Sequence, residues 1–199
     1  MGIYRMQAPP ENAEKVFFRQ PTRRLPKDIP FLVDNIWEWI RSIQYPHFPS
    51  RRHSLFAAAS IEAAKAWSST KSQVFEVLIE PTKLVAQQMF HKPVRLHCDL
   101  KLIHGLVVEA IQKSGWADRI ITDKSSSSTL FAPCLTGQEV EEVISSWPPI
   151  ANIRQDLLDG PKFWREISLV ESRRVSPSLG EVFFEPSEQG FSLRPVPSL

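Results

Sequence analysis

The sequence predicts an α+β fold, with strands toward both ends of the chain and a mainly helical middle. Three observations predict it. Residues 50–81 (SRRHSLFAAASIEAAKAWSSTKSQVFEVLIEP) read as a strand with a polar mouth, a helix and a second strand. The stretch 82–160 repeats its apolar side chains mostly at helical spacing. Near the end, 181–185 and 191–196 are apolar runs separated by turn residues. Seventeen prolines against seven glycines agree with a loop-rich domain, because proline fixes φ and interrupts helices.

In chain order, residues 1–14 carry little periodicity and read as a loose lead-in. Residues 15–20 (KVFFRQ) have strand composition and carry Arg19 near their end. A proline-rich basic loop follows at 21–30. Asp28 is placed to cap a helix over 31–40, with Pro30 suited to its first turn. Leu32, Val33, Ile36, Trp39 and Ile40 share one face of that helix. Residues 53–58 form a short strand, Ser60 caps a helix over 61–67, and 73–80 form a mostly buried strand stopped by Pro81.

In the middle, a helix is expected at 83–90. Asp99 is read as the cap of a second helix, over 100–113, ended by Gly115. A strand is expected at 129–132, and Thr136 caps a helix over 137–147 that Pro148 and Pro149 terminate. Residues 163–170 are expected to be extended. The runs 181–185 and 191–196 then pair around a turn at 187–190. The chain reads as a single domain over 1–199, with 82–160 as a helical insertion within a split sheet.

The totals narrow the function. The 199 residues suffice for one domain with a full core. Lys plus Arg number 24 and Asp plus Glu 22, a net charge of +2, which argues against a dedicated nucleic-acid binder. Arg23-Arg24, Arg51-Arg52-His53 and Arg173-Arg174 are local basic clusters, each read first as a solvated patch. Two cysteines, Cys98 and Cys134, make no disulfide framework and suit a reducing compartment. No signal peptide or membrane span is expected, so the reading is cytoplasmic synthesis, with signal-independent delivery into another cell left open.

The chemistry-bearing residues gather in two blocks. Arg51, Arg52, His53 and Ser54 stand at the mouth of a strand. Glu181 opens the strand VFF after Gly180, in the block SLGEVFFEP (178–186). A strand-edge carboxylate can bind a ribose hydroxyl and stabilise positive charge developing on the sugar. Arg19 offers planar recognition of phosphate. His91, His97, Cys98 and His104 lack metal-site spacing, and adjacent His97 and Cys98 are expected to diverge, so no metal site is expected. G-x-S-x-G, G-x-G-x-x-G and phosphate-loop motifs do not occur.

Taken together, FFRQ (17–20), RHSLFAAAS (52–60) with the following IEAAKAW and VFEVLIEP, and SLGEVFFEP resemble the ADP-ribosyltransferase family over roughly half the chain. That family has a first strand ending in Arg or His, a second strand of Ser/Thr and aromatic character followed by a helix, and a late strand opened by a catalytic Glu. The resemblance implies a split, mixed or antiparallel β-sheet core that binds NAD, here a substrate, in a cleft. It implies catalytic roles for Glu181, His53 and Ser54, and contacts to NAD from Arg19, Arg52 and Phe56. The sequence departs from the family in having Ala57-Ala58-Ala59-Ser60 near the place of a Ser-Thr-Ser motif. Leu179 stands where arginine-modifying members carry a carboxylate, which points away from arginine as the acceptor.

The implied function is transfer of ADP-ribose from NAD to a protein or nucleotide acceptor, as in a bacterial or phage effector or toxin. Trp37 or Trp39 is a candidate for recognising that acceptor. The alternative is a non-enzymatic inhibitor or adaptor using the same fold as a docking surface. A nucleic-acid-binding module is a third and weaker reading.

Overall fold

The computed structural model describes residues 2–8, 17–19 (backbone alone), 25–26, 29–66, 72–91, 93–115, 129–188 and 190–197. The chain divides into two compact units. One comprises Met1–Arg24, Phe48–His91 and Glu166–Leu199; the other comprises Leu25–His47 and Lys92–Arg165. Among the described residues, no helix is long and apolar enough to cross a membrane.

The first unit holds two four-stranded antiparallel sheets. One runs β1 (Tyr4–Gln7), β4 (Gln73–Leu78), β8 (Phe191–Pro195), β2 (Phe17–Arg19). The other runs β3 (Leu55–Ala57), β7 (Val182–Phe184), β5 (Leu84–Gln88), β6 (Ile167–Glu171). Strand side chains alternate between faces. Leu55, Ala57, Val85, Val182 and Phe184 of one sheet therefore meet Phe75, Val77, Phe191 and Leu193 of the other in a single apolar cluster. The sheets are stitched together between β1 and β3. There Tyr4 and Ala58 exchange backbone hydrogen bonds of 2.7 and 2.6 Å. Helix α2 (Ile61–Ala66) joins β3 to β4, and Ala64 packs with Ala58 and Val74 beside Tyr4 and Met6. Ser60 caps it as expected, its Oγ accepting from the Ala63 N–H.

Several expected elements differ in this unit. The lead-in contains a strand, β1, because Tyr4 and Met6 turn to one face and Ile3 and Arg5 to the other. The expected helix at 83–90 is the strand β5, hydrogen-bonded on both sides. Its helix-favouring glutamines are fixed by tertiary partners. Gln87 Nε2 donates to the Ser176 carbonyl at 2.7 Å, and its Oε1 accepts from the Ser176 N–H at 3.0 Å. Intrinsic propensity is a weak prior against such partners. The runs at 182–184 and 191–195 do not pair with each other. A turn closes at Ser187–Gly190, but the chain then crosses from one sheet to the other. The stretch expected to extend over 163–170 begins as a 3-10 turn, Phe163–Glu166, before β6.

The second unit is helical, built from α1 (Phe31–Gln44), α3 (Asp99–Lys113), α4 (Gly137–Ser146), α5 (Pro148–Ala151) and α6 (Arg154–Asp159). The expected apolar face of α1 is buried. Pro30 sits at its N-cap position; Asp28, expected as the cap, lies outside the described residues. Thr136 caps α4 in a reciprocal box with Glu139. Pro148 and Pro149 end α4 and also open α5, where a missing N–H costs nothing. Residues 130–134 are turns and a bend, and no strand forms at 129–132. Buried Asn35 organises them, donating to the carbonyls of Leu130 and Ala132 and accepting from the Leu135 N–H.

Asp99 is not a cap but the first residue of α3, fully buried. Its carboxylate accepts from Trp37 Nε1 (3.0 Å), the Lys162 N–H (3.0 Å) and the Phe163 N–H (2.9 Å). Trp37 stacks on Phe163 at 4.1 Å, and Trp164 Nε1 donates to the Trp37 carbonyl. A second brace joins α1, α4 and α6. Glu141 accepts from Trp39 Nε1 and from the Arg154 guanidinium, which lies over the Trp39 ring. The Arg154 hydrogen bond holds the Glu141 carboxyl below its ordinary range, with Trp39 and Ser145 adding to it and burial opposing it. A depressed folded-state value stabilises the fold above the unfolded pKa, and that contribution fades as pH falls through the folded value. Urea unfolding of wild type and Glu141→Gln should therefore show a wild-type advantage that is complete near neutral pH and shrinks as pH falls below the ordinary glutamate value of 4.5. A constant gap would contradict the brace.

Candidate functional site

The face of the β3–β7–β5 sheet opposite the apolar cluster carries the site. Val182 and Phe184 join the apolar cluster, so Phe183 turns to the opposite face. There it meets its cross-strand partner Phe56, ring on ring at 5.6 Å and 29°. Glu181 is two residues before Phe183, and Gln88 is two residues after Ala86, which also pairs with Phe183. The strand period thus brings Glu181, Phe183, Phe56 and Gln88 to one face, where Phe183 and Gln88 are buried and Glu181 and Phe56 are partly exposed.

Arg51 completes it. Its Nη1 lies 3.6 Å from Glu181 Oε2, and its Cζ lies 4.6 Å from the Phe56 centroid and 5.3 Å from that of Phe183. The side chains of Arg51 and Glu181 are only 13% and 21% exposed, so this pair is less screened than a surface salt bridge. A guanidinium over an aromatic face contributes about 0.5–2 kcal/mol. Gln88 Nε2 donates to Glu181 Oε2 at 3.2 Å.

Backbone contacts fix both halves. The Ser50 N–H donates to Glu185 Oε1, Ser54 Oγ donates to the Ser50 carbonyl at 2.6 Å, and residues 51–53 form a tight turn presenting Arg51. On the other side, the Gly180 N–H donates to the Gln88 carbonyl and the Gln88 N–H to the Glu181 carbonyl, each at 2.9 Å. A Cβ at position 180 would lie 2.1 Å from the Phe90 carbonyl oxygen. Glycine is required there by close approach of the backbone.

Arg5 of β1 reaches the same strand. Its cross-strand partner Phe75 belongs to the apolar cluster, so Arg5 faces the seam between the sheets, and its Nη1 donates to the Phe56 carbonyl at 2.7 Å. Arg19 is on β2, at the opposite edge of that sheet from β1.

The expected site residues thus fare differently. Glu181 and Phe56 come together. Ser54 and Arg52 are buried, the Ser54 hydroxyl being spent on the Ser50 carbonyl. His53 is exposed on the turn, and β3 starts only at Leu55. Trp37 and Trp39, expected to meet an acceptor, are buried anchors of the helical unit. Sequence reasoning named Arg51 only as one of four and missed Arg5, Gln88 and Phe183. The alternation of YRMQ and the parity of Glu181 with Phe183 were the available signals.

His97, Cys98 and Asp99 do not diverge as expected: one ligand atom of each lies within 4.8 Å of the others. The Asp99 oxygens already take three N–H groups, and His97 Nδ1 accepts from the Asp99 N–H at 3.2 Å. Asp99 and His97 thus serve as hydrogen-bond acceptors that tie α3 to the rest of the helical unit.

One family, described as "Protein of unknown function (DUF2441)", has a model that matches residues 10–100, less than half of the chain. The matched stretch includes Arg51, Phe56 and Gln88 but not Arg5, Glu181 or Phe183. No curated protein and no solved structure matches the chain.

Proposed function

We propose that the protein is an ADP-ribosyltransferase, with NAD as substrate and Glu181 as the carboxylate at the reacting sugar. One observation carries the reading. The strand with an arginine (β1), the strand followed by a helix (β3) and the late strand opened by Glu181 (β7) are consecutive neighbours, joined by the Tyr4–Ala58 bridge and the β3–β7 ladder. The second and third are elements of the resemblance, and their adjacency does not follow from their distant positions in the chain; the first strand of the resemblance, 17–20 with Arg19, is β2 and does not adjoin them. Arg5 suits the first-strand role better than Arg19, because β1 lies beside β3 and β2 does not.

In the proposed reaction the bond between the nicotinamide nitrogen and the ribose carbon breaks, and its electrons leave with nicotinamide. The Glu181 carboxylate stabilises the positive charge left on the ribose, and an acceptor on a partner attacks, giving up a proton. Gln88 holds one carboxylate oxygen in place. Incubation with NAD labelled in its adenylate part, in a lysate, should release nicotinamide and transfer label to an acceptor. A second reading, a non-enzymatic inhibitor or adaptor, is favoured by the engagement of Glu181 by Arg51 and Gln88 before any ligand is bound. It predicts a co-purifying partner whose binding ignores NAD.

A further inference from the structure

His97, Cys98 and Asp99 stand where the chain passes from a 3-10 turn, Val94–Leu96, into α3. His97 is extended and Cys98 is already helical, so the backbone bends between them and the three side chains converge. Two of the separations match a metal site. His97 Nδ1 lies 3.4 Å from Asp99 Oδ1, and Cys98 Sγ lies 3.7 Å from the same oxygen. Ordinary zinc bond lengths in a tetrahedron set a nitrogen and an oxygen ligand about 3.4 Å apart, and a sulfur and an oxygen about 3.6 Å apart. The nitrogen and the oxygen are also two acceptors side by side. Nδ1 accepts from the Asp99 N–H, so it has no proton to give Oδ1. A cation between the two turns that repulsion into attraction.

We propose that His97, Cys98 and Asp99 bind a divalent ion of the zinc class through Nδ1, Sγ and Oδ1, with a fourth position open to water. The inference stands apart from the ADP-ribosyltransferase reading. Imidazole with thiolate selects such an ion over magnesium or calcium, which take oxygen ligands. His97 and Asp99 are buried and hold two ligand atoms in place, while exposed Cys98 leaves the site reachable from solvent. The hydrogen-bonded hub around Asp99 is kept. Oδ2 takes the Trp37 indole and the Phe163 N–H, and Oδ1 takes the Lys162 N–H, which leaves Oδ1 a lone pair for the ion. On binding, the ion replaces the Cys98 thiol proton, which passes to solvent, and Nδ1 exchanges its 3.2 Å hydrogen bond for the metal.

Titration of the full chain, kept reduced without added thiols, with Co²⁺ as a spectroscopic stand-in for Zn²⁺ tests this. Wild type should take up a single equivalent, with the visible bands of a tetrahedral ion and a thiolate charge-transfer band, and Zn²⁺ should bleach both. Cys98→Ser changes an exposed side chain, so the fold should stand while the charge-transfer band is lost. Cys134→Ser should leave the spectrum as in wild type. His97→Ala should bind Co²⁺ at least about tenfold more weakly. Should His97→Ala fail to fold, His97→Asn keeps a polar group at that place, and the same weakening is expected. Zn²⁺ should also raise the thermal midpoint of wild type and not that of Cys98→Ser. No charge-transfer band in wild type, a band that survives Cys98→Ser, or binding undiminished in the folded His97 variant (an adventitious thiol only) overturns the proposal.

Discussion

Asp99→Asn should destabilise the helical unit by about 3 kcal/mol. The carboxylate is fully buried and accepts from three donor groups, the Trp37 indole and the backbone N–H groups of Lys162 and Phe163. An asparagine of the same shape turns an NH2 group toward at least one of those donors. That leaves a buried N–H unmet. The loss should propagate, because Trp37 also stacks on Phe163 and accepts from Trp164 through its carbonyl. Urea unfolding followed by tryptophan fluorescence measures it directly. A change below about 0.5 kcal/mol would mean the hub is dispensable.

This residue also shows where the sequence stops being readable. An aspartate before an apolar periodic run is the usual sign of a helix cap, and α3 does begin there. Nothing local distinguishes a cap from a carboxylate that gathers donors from residues 37, 162 and 163. The same limit explains the 83–90 stretch. Its composition suits a helix, yet β5 is a central strand because β6 and β7 supply ladders on both sides and Ser176 completes Gln87. Short elements between distant partners are decided by those partners.

Other features were legible because their causes are local. The Thr136–Glu139 box, the buried stripe of α1, and Gly115 with φ +66° at the end of α3 each follow from residues within a few positions. The α+β character was equally clear, and both sheets are antiparallel. The site was legible in part. Glu181 and Phe56 announce themselves by strand parity and position. Arg51 could not be chosen over Arg52 and His53, since the choice depends on a turn pinned by Glu185 from 135 positions away. Arg5 was hidden because a four-residue strand has too few alternations to stand out from a lead-in.

Glu181 carries the largest expected effect on activity. Glutamine keeps the shape of the side chain and a hydrogen-bonding group for Gln88 but removes the negative charge. Arg51 then loses its pairing with Glu181, and in the proposed reaction the charge developing on the ribose loses its stabiliser. Loss of one such preorganised group slows a reaction by about 10²–10³-fold. The surrounding backbone hydrogen bonds of Gly180 and Gln88 do not involve the side chain, so the fold should survive the change. The direct measurement is nicotinamide release from NAD by wild type and by Glu181→Gln at equal concentration, with thermal unfolding confirming that both are folded. The expected result is measurable release by wild type and a fall of about 10²-fold or more in the variant. Equal release by the two folded proteins, or none from either, would contradict the assignment of Glu181 to the chemistry of an ADP-ribosyltransferase.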